Sequence, residues 1–304
     1  MIDKYRFQQY ILLMRPYSIV DVGLVGLLGV SLSSGYSNLS YLGINAFFIS
    51  ILLWIGFNWF NESIQKDKGR IVIPIVIPTA VFIFTMIWYG VVFGFHINII
   101  LVVLSFLVYA HKHKYEKLTR YIFLLRGVNT VLLFMLFYHG EYSLPILAVL
   151  ALLFSSQSYR SFIGDFRDIK YDKYTYMKRY SLKNSKIFLF ILGTMSIISA
   201  LLINIYIGVA VSLYIIYFTS KYYFMTDDST YIGIESYKLH QHTILFTFLI
   251  KILLFLSYNG LLIISNLLIV TIVLAVGIML FNTYGRVIRP INLNKEVTAS
   301  DSFI

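Results

Sequence analysis

Long runs of apolar residues follow one another along the whole chain, separated by short polar segments. A bilayer span needs about 20 apolar residues, and this pattern predicts ten spans, of which the fourth is short. Because backbone polar groups in lipid must bond within their own segment, each span is expected to be a helix. Nine spans are the alternative, since only NIYIG separates the seventh from the eighth. The ten predicted spans are 17–34, 42–63, 71–93, 95–110, 121–138, 144–164, 187–203, 205–222, 240–257 and 262–282.

The segments between the spans alternate sharply in charge. Alternate segments contain no lysine or arginine, namely GFH, HGEYS, 35–40, 204–208 and 257–261. The segments between them carry almost all the lysine and arginine residues of the chain. Basic residues accumulate on the cytoplasmic side of membrane proteins. The sequence therefore predicts cytoplasmic N- and C-termini and an integral cell-membrane protein.

Composition agrees with a membrane protein. Of the 304 residues, 59% are hydrophobic, and the mean hydropathy is +0.77. The net charge of +11 is spread over short juxtamembrane loops, which argues against nucleic acid as a partner. The absence of cysteine excludes disulfides and thiolate metal sites. Without a cleavable signal pattern or an internal linker, residues 1–304 are expected to form one domain, with a polar tail at about 290–304.

Three aspartates end the sixth predicted span. Asp165, Asp168 and Asp172, in GDFRDIKYD, follow the spacing i, i+3, i+7, which keeps them on one narrow helix face. Carboxylates this close repel one another unless a cation neutralises them, and oxygen-rich sites of this kind suit Mg²⁺. A solvated helix end is the alternative, but acidic groups at a helix C-terminus oppose its macrodipole.

The same spacing ends the second predicted span. Asn58, Asn61 and Gln65, in NWFNESIQKD, are amides that can complete a Mg²⁺ shell without neutralising it, and Glu62 adds one charge to that face. Both sets end even-numbered spans. The sequence therefore predicts that they meet on the cytoplasmic side and hold a metal between them.

These segments resemble the paired motifs of UbiA-type intramembrane prenyltransferases. NWFNESIQKDKG is similar to the first motif, in the form typical of dihydroxynaphthoate (menaquinone) prenyltransferases, and RDIKYDK is similar to the second. LMRPYS resembles the family's common start. In the first motif Gln65 stands where the family has an aspartate, and Tyr171 replaces a glycine in the second.

The resemblance implies an all-α, polytopic membrane bundle of nine to ten transmembrane helices around a central cavity. It implies that Mg²⁺ is held between two sets of ligands, Asp165, Asp168 and Asp172 on one side and Asn58, Asn61 and Glu62 on the other. Asp168 and Asp172 are the implied catalytic pair. Gln65 is expected to lie behind the metal ligands. The partners implied are a polyprenyl diphosphate and a small aromatic acceptor. The cations expected to bind the diphosphate are Arg70, Lys112, Lys114, Arg120, Arg126 and Lys173. Anchoring to anionic lipid headgroups is the alternative for each of Lys112, Lys114 and Arg120.

Several polar residues interrupt predicted spans. Arg126, Asn129 and Lys251 lie within apolar sequence, where a charge at mid-bilayer costs roughly 2.5–3.5 kcal/mol. Each is expected to face the bundle interior or a partner, and Asp21 is a candidate partner for Arg126 or Lys251. Snorkelling or bonding between helices is the alternative for both cations.

Other residues near the motifs have ordinary explanations as well as functional ones. The hydroxyls of SSQSYRSF either pack between helices or line an acceptor pocket. The pairs His111/His113 and His240/His242 lack a third ligand and are expected to be solvated at the interface. Five aromatic residues near the motifs have two possible roles, core packing or stabilisation of a carbocation by their ring faces. They are Trp54, Phe57, Phe60, Phe162 and Phe166.

The resulting functional hypothesis is Mg²⁺-dependent transfer of a polyprenyl group to an aromatic acceptor within the membrane. The alternatives are a divergent relative that acts as a terpene cyclase or is inactive, and an ion-coupled transporter. Transporters favour discontinuous helices at the bilayer midplane, which the sequence does not indicate.

Overall fold

The described part of the chain is helical throughout. A computed structural model describes residues 15–33, 39–65, 73–111, 121–167, 182–223 and 229–259. Within these ranges the secondary structure consists of nine α-helices. They are α1 Pro16–Ser31, α2 Leu39–Gln65, α3 Val76–Phe93, α4 Ile97–Ala110, α5 Ile122–Phe137, α6 Leu144–Arg167, α7 Leu182–Ile203, α8 Ile205–Tyr223 and α9 Ser229–Asn259.

Each of the nine helices overlaps one of the first nine predicted spans, although α9 begins eleven residues before its span and α3 begins five residues after the start of its span. The tenth predicted span, 262–282, lies outside the described residues, so the choice between nine and ten spans stays a prediction. By length and composition, five of the described helices can cross a membrane. The apolar parts of α1, α4, α5 and α9 are shorter, and α4 with 14 residues measures about 21 Å.

A single residue separates α7 from α8, which were the least certain pair of spans. The backbone N–H of Asn204 donates to the Ala200 carbonyl at 3.0 Å, and its side-chain oxygen accepts from the Tyr206 N–H at 2.8 Å. Asn204 thus serves both helix ends, which explains how the chain changes direction within one residue.

The helices pack in a closed circuit. Each of α1 to α9 contacts the next along the chain, and α9 returns to contact α1. Three contacts cross this circuit, α1 with α5, α6 with α9 and α2 with α4. Helices α1, α5, α6 and α9 therefore enclose the centre of the bundle, whereas most of the surface of α3 faces outward.

Glycines allow α1 to approach two helices closely. A Cβ atom on Gly26 would lie 2.6 Å from the Ala46 carbonyl oxygen of α2, and one on Gly29 would lie 2.7 Å from the Phe134 carbonyl oxygen of α5. Small residues at such crossings are typical of membrane helices, which gain packing rather than hydrophobic energy when they associate.

Polarity is distributed as expected for a protein dissolved in lipid. Large apolar side chains such as Val91, Phe190 and Leu213 are exposed on the outer faces of their helices. Serine, threonine, asparagine and charged side chains are buried between helices instead. An exposed apolar surface of this extent indicates a membrane-embedded protein.

Candidate functional site

The ends of α2 and α6 that carry the polar sets lie on the same side of the bundle. At the opposite end, the Ser33 hydroxyl after α1 donates to the Phe137 carbonyl at 3.2 Å and accepts from the His139 N–H at 2.8 Å. The chain leaves this end through a short connection into α2 and another into α6. Both helices therefore run away from it, and their C-terminal ends, with Asn61 and Asp165, share the other side.

The amide set is built into the interior. Asn58, Asn61 and Glu62 are 2%, 4% and 9% exposed, and the side-chain N–H of Asn58 donates to the Trp54 carbonyl at 2.8 Å. Asp165 is half-buried near the end of α6. These side chains offer amide and carboxylate oxygens, which are the ligands that Mg²⁺ prefers, so the donor chemistry fits this ion.

Much of the predicted site lies outside the described residues. This holds for the side chain of Gln65 and for Asp168, Asp172, Arg70, Lys112, Lys114, Arg120 and Lys173. Among the residues that are described, no cluster of three or more histidine, aspartate or glutamate side chains is placed to hold a metal ion. Since two of the three predicted aspartates lie outside that part of the chain, the metal site stays a prediction.

A cavity lies between the helices close to these polar ends. Phe57 of α2, which lines it, immediately precedes Asn58, and Trp54 lies one turn before Asn58. Gln157 of α6 is two helical turns before Asp165. The space open to the centre of a water molecule is about 30 Å³, room for about two waters. The lining residues are Asp21, Val22, Val25, Trp54, Phe57, Phe106, Tyr109, Arg126, Asn129, Thr130, Leu133, Gln157 and Lys251.

Aromatic rings form one wall of the cavity. Phe57 stacks on Phe106 at a centroid distance of 5.0 Å, meets Tyr109 edge-on at 5.0 Å and lies 5.4 Å from Trp54. Of the five aromatic residues predicted near the motifs, only Trp54 and Phe57 line this cavity. Phe162 instead packs against Phe123, as the alternative of core packing predicts.

Arg126 faces the same cavity, as the sequence predicts for a cation within a span. Its Nε donates to the Tyr109 hydroxyl at 2.6 Å, and its guanidinium carbon lies 5.2 Å from the centre of the Tyr109 ring. The aromatic wall therefore orients the guanidinium group, which also interacts with the ring face.

A buried ionic network adjoins the cavity, which its members Asp21 and Lys251 line. The Arg160 guanidinium on α6 donates to one carboxylate oxygen of Asp21 at 2.6 Å, and the Lys251 ammonium on α9 donates to the other. Arg160 also donates to the hydroxyls of Ser18 at 2.7 Å and Thr247 at 3.0 Å. The predicted pairing of Asp21 with one of two cations is thus realised with Lys251.

Sequence reasoning missed Arg160 and misjudged His240. Arg160 was passed over within SSQSYRSF, although an ionisable residue at membrane depth is itself a functional signal. His240 was expected to be solvated, but it is only 5% exposed and its ring lies against Gly164, next to Asp165. Helix α9 begins at Ser229, eleven residues before the predicted span, so His240 lies within the helix and not at its end, while His242 is exposed as expected.

The hydroxyls of SSQSYRSF mostly serve packing between helices. The Ser196 hydroxyl of α7 donates to Ser155 at 2.9 Å, and Ser156 donates to the Leu152 carbonyl at 2.6 Å within its own helix. Gln157 is the member of this stretch that lines the cavity.

The chain was compared with known proteins in three ways, and none gave a match. No protein-family model, no curated protein and no solved structure matches the chain.

Proposed function

We propose that the protein is an Mg²⁺-dependent intramembrane prenyltransferase, which transfers a polyprenyl group from an allylic diphosphate to an aromatic acceptor. The observation that carries the proposal is a cavity with an aromatic wall and a buried cation, located directly below the polar end of α2. A site for this reaction must combine hard oxygen ligands, positive charge and a water-poor apolar wall, and these features adjoin one another here.

In this proposal Asp165, Asp168 and Asp172 hold the metal with Asn58, Asn61 and Glu62. Mg²⁺, when bound, neutralises the diphosphate and makes it a better leaving group. Arg126, held by Tyr109, donates to the diphosphate oxygens as negative charge accumulates on them. The cations Arg70, Lys112, Lys114, Arg120 and Lys173 are proposed to share this role.

The aromatic wall is proposed to act after the diphosphate has left, by stabilising the allylic cation. The bond between the allylic carbon and the diphosphate oxygen breaks, and the diphosphate leaves with the electron pair. The faces of Trp54 and Phe57 stabilise the allylic cation until a ring carbon of the acceptor attacks it. That carbon then loses its proton to the released diphosphate, and the ring regains its aromaticity. Exclusion of water by the surrounding helices protects the cation from hydrolysis.

The site is proposed to open towards the cytoplasm in the cell membrane, because lysine and arginine concentrate on the side where α2 and α6 end. Polyprenyl substrates and products dissolve in lipid, which makes an intramembrane site suitable for both.

The metal ligands give the direct test. Asp168→Asn and Asp172→Asn are expected to abolish prenyl transfer by purified protein, measured by mass spectrometry of the product with several aromatic acceptors. Lys221→Met, at an exposed site on α8, is the control and should retain activity. Full turnover by the double aspartate variant, or by the wild type in excess EDTA, would exclude the mechanism.

Ion-coupled transport is the second candidate, and the Asp21–Arg160–Lys251 network favours it. Ionisable residues buried within membrane helices often mark ion or proton pathways. Proteoliposomes carrying an internal pH dye separate the two functions. A proton flux that Asp21→Asn abolishes would support transport, whereas prenyl transfer without flux would support the enzyme. Omitting the acceptor distinguishes a cyclase, which would still consume the diphosphate.

A further inference from the structure

The buried ionic network contains more positive than negative charge. Arg160 and Lys251 share the single carboxylate of Asp21, and Arg126 lies on the same cavity. Among the described residues that form this cavity and its network, three cations thus accompany one anion. One of the two excess positive charges lies in the buried network, and the other is on the half-buried Arg126. Burying unbalanced charge is costly, so an anion entering the cavity would be stabilised there.

Arg160 and Lys251 differ in their freedom to meet such an anion. Arg160 of α6 is not among the cavity-lining residues, and it donates to Asp21 and Ser18 of α1 and to Thr247 of α9, so bonds to two neighbouring helices fix its position. Lys251 lines the cavity, and among the described residues Asp21 is its only hydrogen-bond partner. Since Arg160 continues to neutralise Asp21, the Lys251 ammonium can turn to a ligand.

Three further polar groups at the cavity lack partners. Trp54 Nε1, Asn129 Oδ1 and Gln157 Oε1 are buried, and no hydrogen-bond partner for these atoms is present in the described residues. Buried polar atoms are normally bonded. The indole N–H is a donor, and a carboxamide turned by 180° presents an NH₂ group, so all three side chains can donate to an anion.

We infer that this cavity is an anion-binding site in which Lys251 and Arg126 supply the charge and Trp54, Asn129 and Gln157 supply neutral donors. The ligand is a small anion, or the singly or doubly charged group of a larger molecule. The anion is held only by the cations and neutral donors of the cavity, so the site is expected to bind anions without Mg²⁺. Binding does not depend on the proposed prenyl transfer.

Iodide is a suitable probe, because it is an anion that quenches tryptophan fluorescence on contact. The chain has three tryptophans, so the Trp59→Phe/Trp88→Phe background leaves Trp54 as the only reporter. In detergent with EDTA present, iodide is expected to quench Trp54 with a saturable component. Caesium, a cationic quencher, should give only weak and linear quenching.

Substitutions assign the saturable component to the cavity. Lys251→Met should weaken iodide binding about tenfold or more, as expected for loss of a charged partner, while Lys251→Arg should largely retain it. Asn129→Leu should weaken binding without changing any charge, and it provides a second variant if Lys251→Met folds poorly. Lys221→Met, exposed on α8, should match the parent protein.

Competition identifies the charge that the site accepts. Formate displacing iodide at lower concentration than phosphate would indicate a carboxylate-like monoanion, and the reverse order would indicate a phosphate-like dianion. Linear quenching of the parent protein, saturable quenching that is unchanged in both Lys251→Met and Asn129→Leu, or displacement by neither oxyanion would overturn the assignment. Because no step uses prenyl transfer or Mg²⁺, failure here leaves the proposed function open to its own test.

Discussion

At the scale of single residues, the balance of charge in the interior depends on Asp21. Removing this carboxylate leaves Arg160 and Lys251 buried side by side without an anion, whereas removing Lys251 leaves the Arg160–Asp21 pair intact. Breaking a buried pair is costly chiefly because of the charge that stays behind. The three residues should therefore contribute unequally to the stability of the fold, although they form one network.

This asymmetry predicts unequal losses of stability. Asp21→Asn should lower the free energy of unfolding by about 3–5 kcal/mol, and Lys251→Met should cost clearly less. Thermal unfolding in detergent, followed by tryptophan fluorescence, measures both. The Asp21→Asn/Lys251→Met double variant should recover part of the loss. Equal losses in the two single variants would contradict the role assigned to Arg160.

At the scale of the elements, the bundle depends on close crossings of α1. Gly26 and Gly29 bring the α1 backbone against backbone carbonyls of α2 and α5. Val25, directly before Gly26, and Asp21, about one turn earlier, lie on the cavity. The position of α1 therefore sets both the packing of its neighbours and the geometry of the ionic network.

Gly26→Val should force α1 away from α2, because its Cβ atom would lie 2.6 Å from the Ala46 carbonyl oxygen. Overpacking of this kind typically costs about 1–3 kcal/mol, measurable as a lower unfolding temperature in detergent. Ala210→Val adds similar bulk on an exposed face of α8 and should have little effect. If both substitutions behave alike, the crossing is looser than described.

At the scale of the whole molecule, the proposed site needs both polar sets on the cytoplasmic side. The contact of Ser33 with Phe137 and His139 places the starts of α2 and α6 together. The distribution of lysine and arginine then assigns the opposite end to the cytoplasm.

Single cysteines test this orientation without interference, because the chain has none of its own. Cysteines at Ser37, Ser143 and Asn259 should react with a membrane-impermeant thiol reagent in intact cells. Cysteines at Lys68, Lys114 and Lys183 should react only after lysis, as judged by a mobility shift on gels. Labelling of the Lys68 and Lys183 positions from opposite sides would separate the two motifs and exclude the prenyltransferase proposal.

The sequence by itself determined that the nine described helices form and, apart from the early start of α9 at Ser229, approximately where they lie. It also determined that such a chain belongs in a membrane. In lipid every backbone group must bond within its own segment, so apolar runs become helices whatever surrounds them. The sequence around Asn204 also indicated the break between α7 and α8. The spacing of the two polar sets is likewise a property of a single helix and visible in the sequence, whereas the metal site that they would form together stays a prediction.

Only the tertiary structure decided which side chains meet. Asp21 had two candidate cations within the spans, and packing gave it Lys251 together with the unexpected Arg160. Packing also buried His240 against Gly164 and turned Gln157 towards the cavity. These contacts join residues far apart in the chain. Their partners depend on how helices cross, and periodicity within one helix carries no information about that.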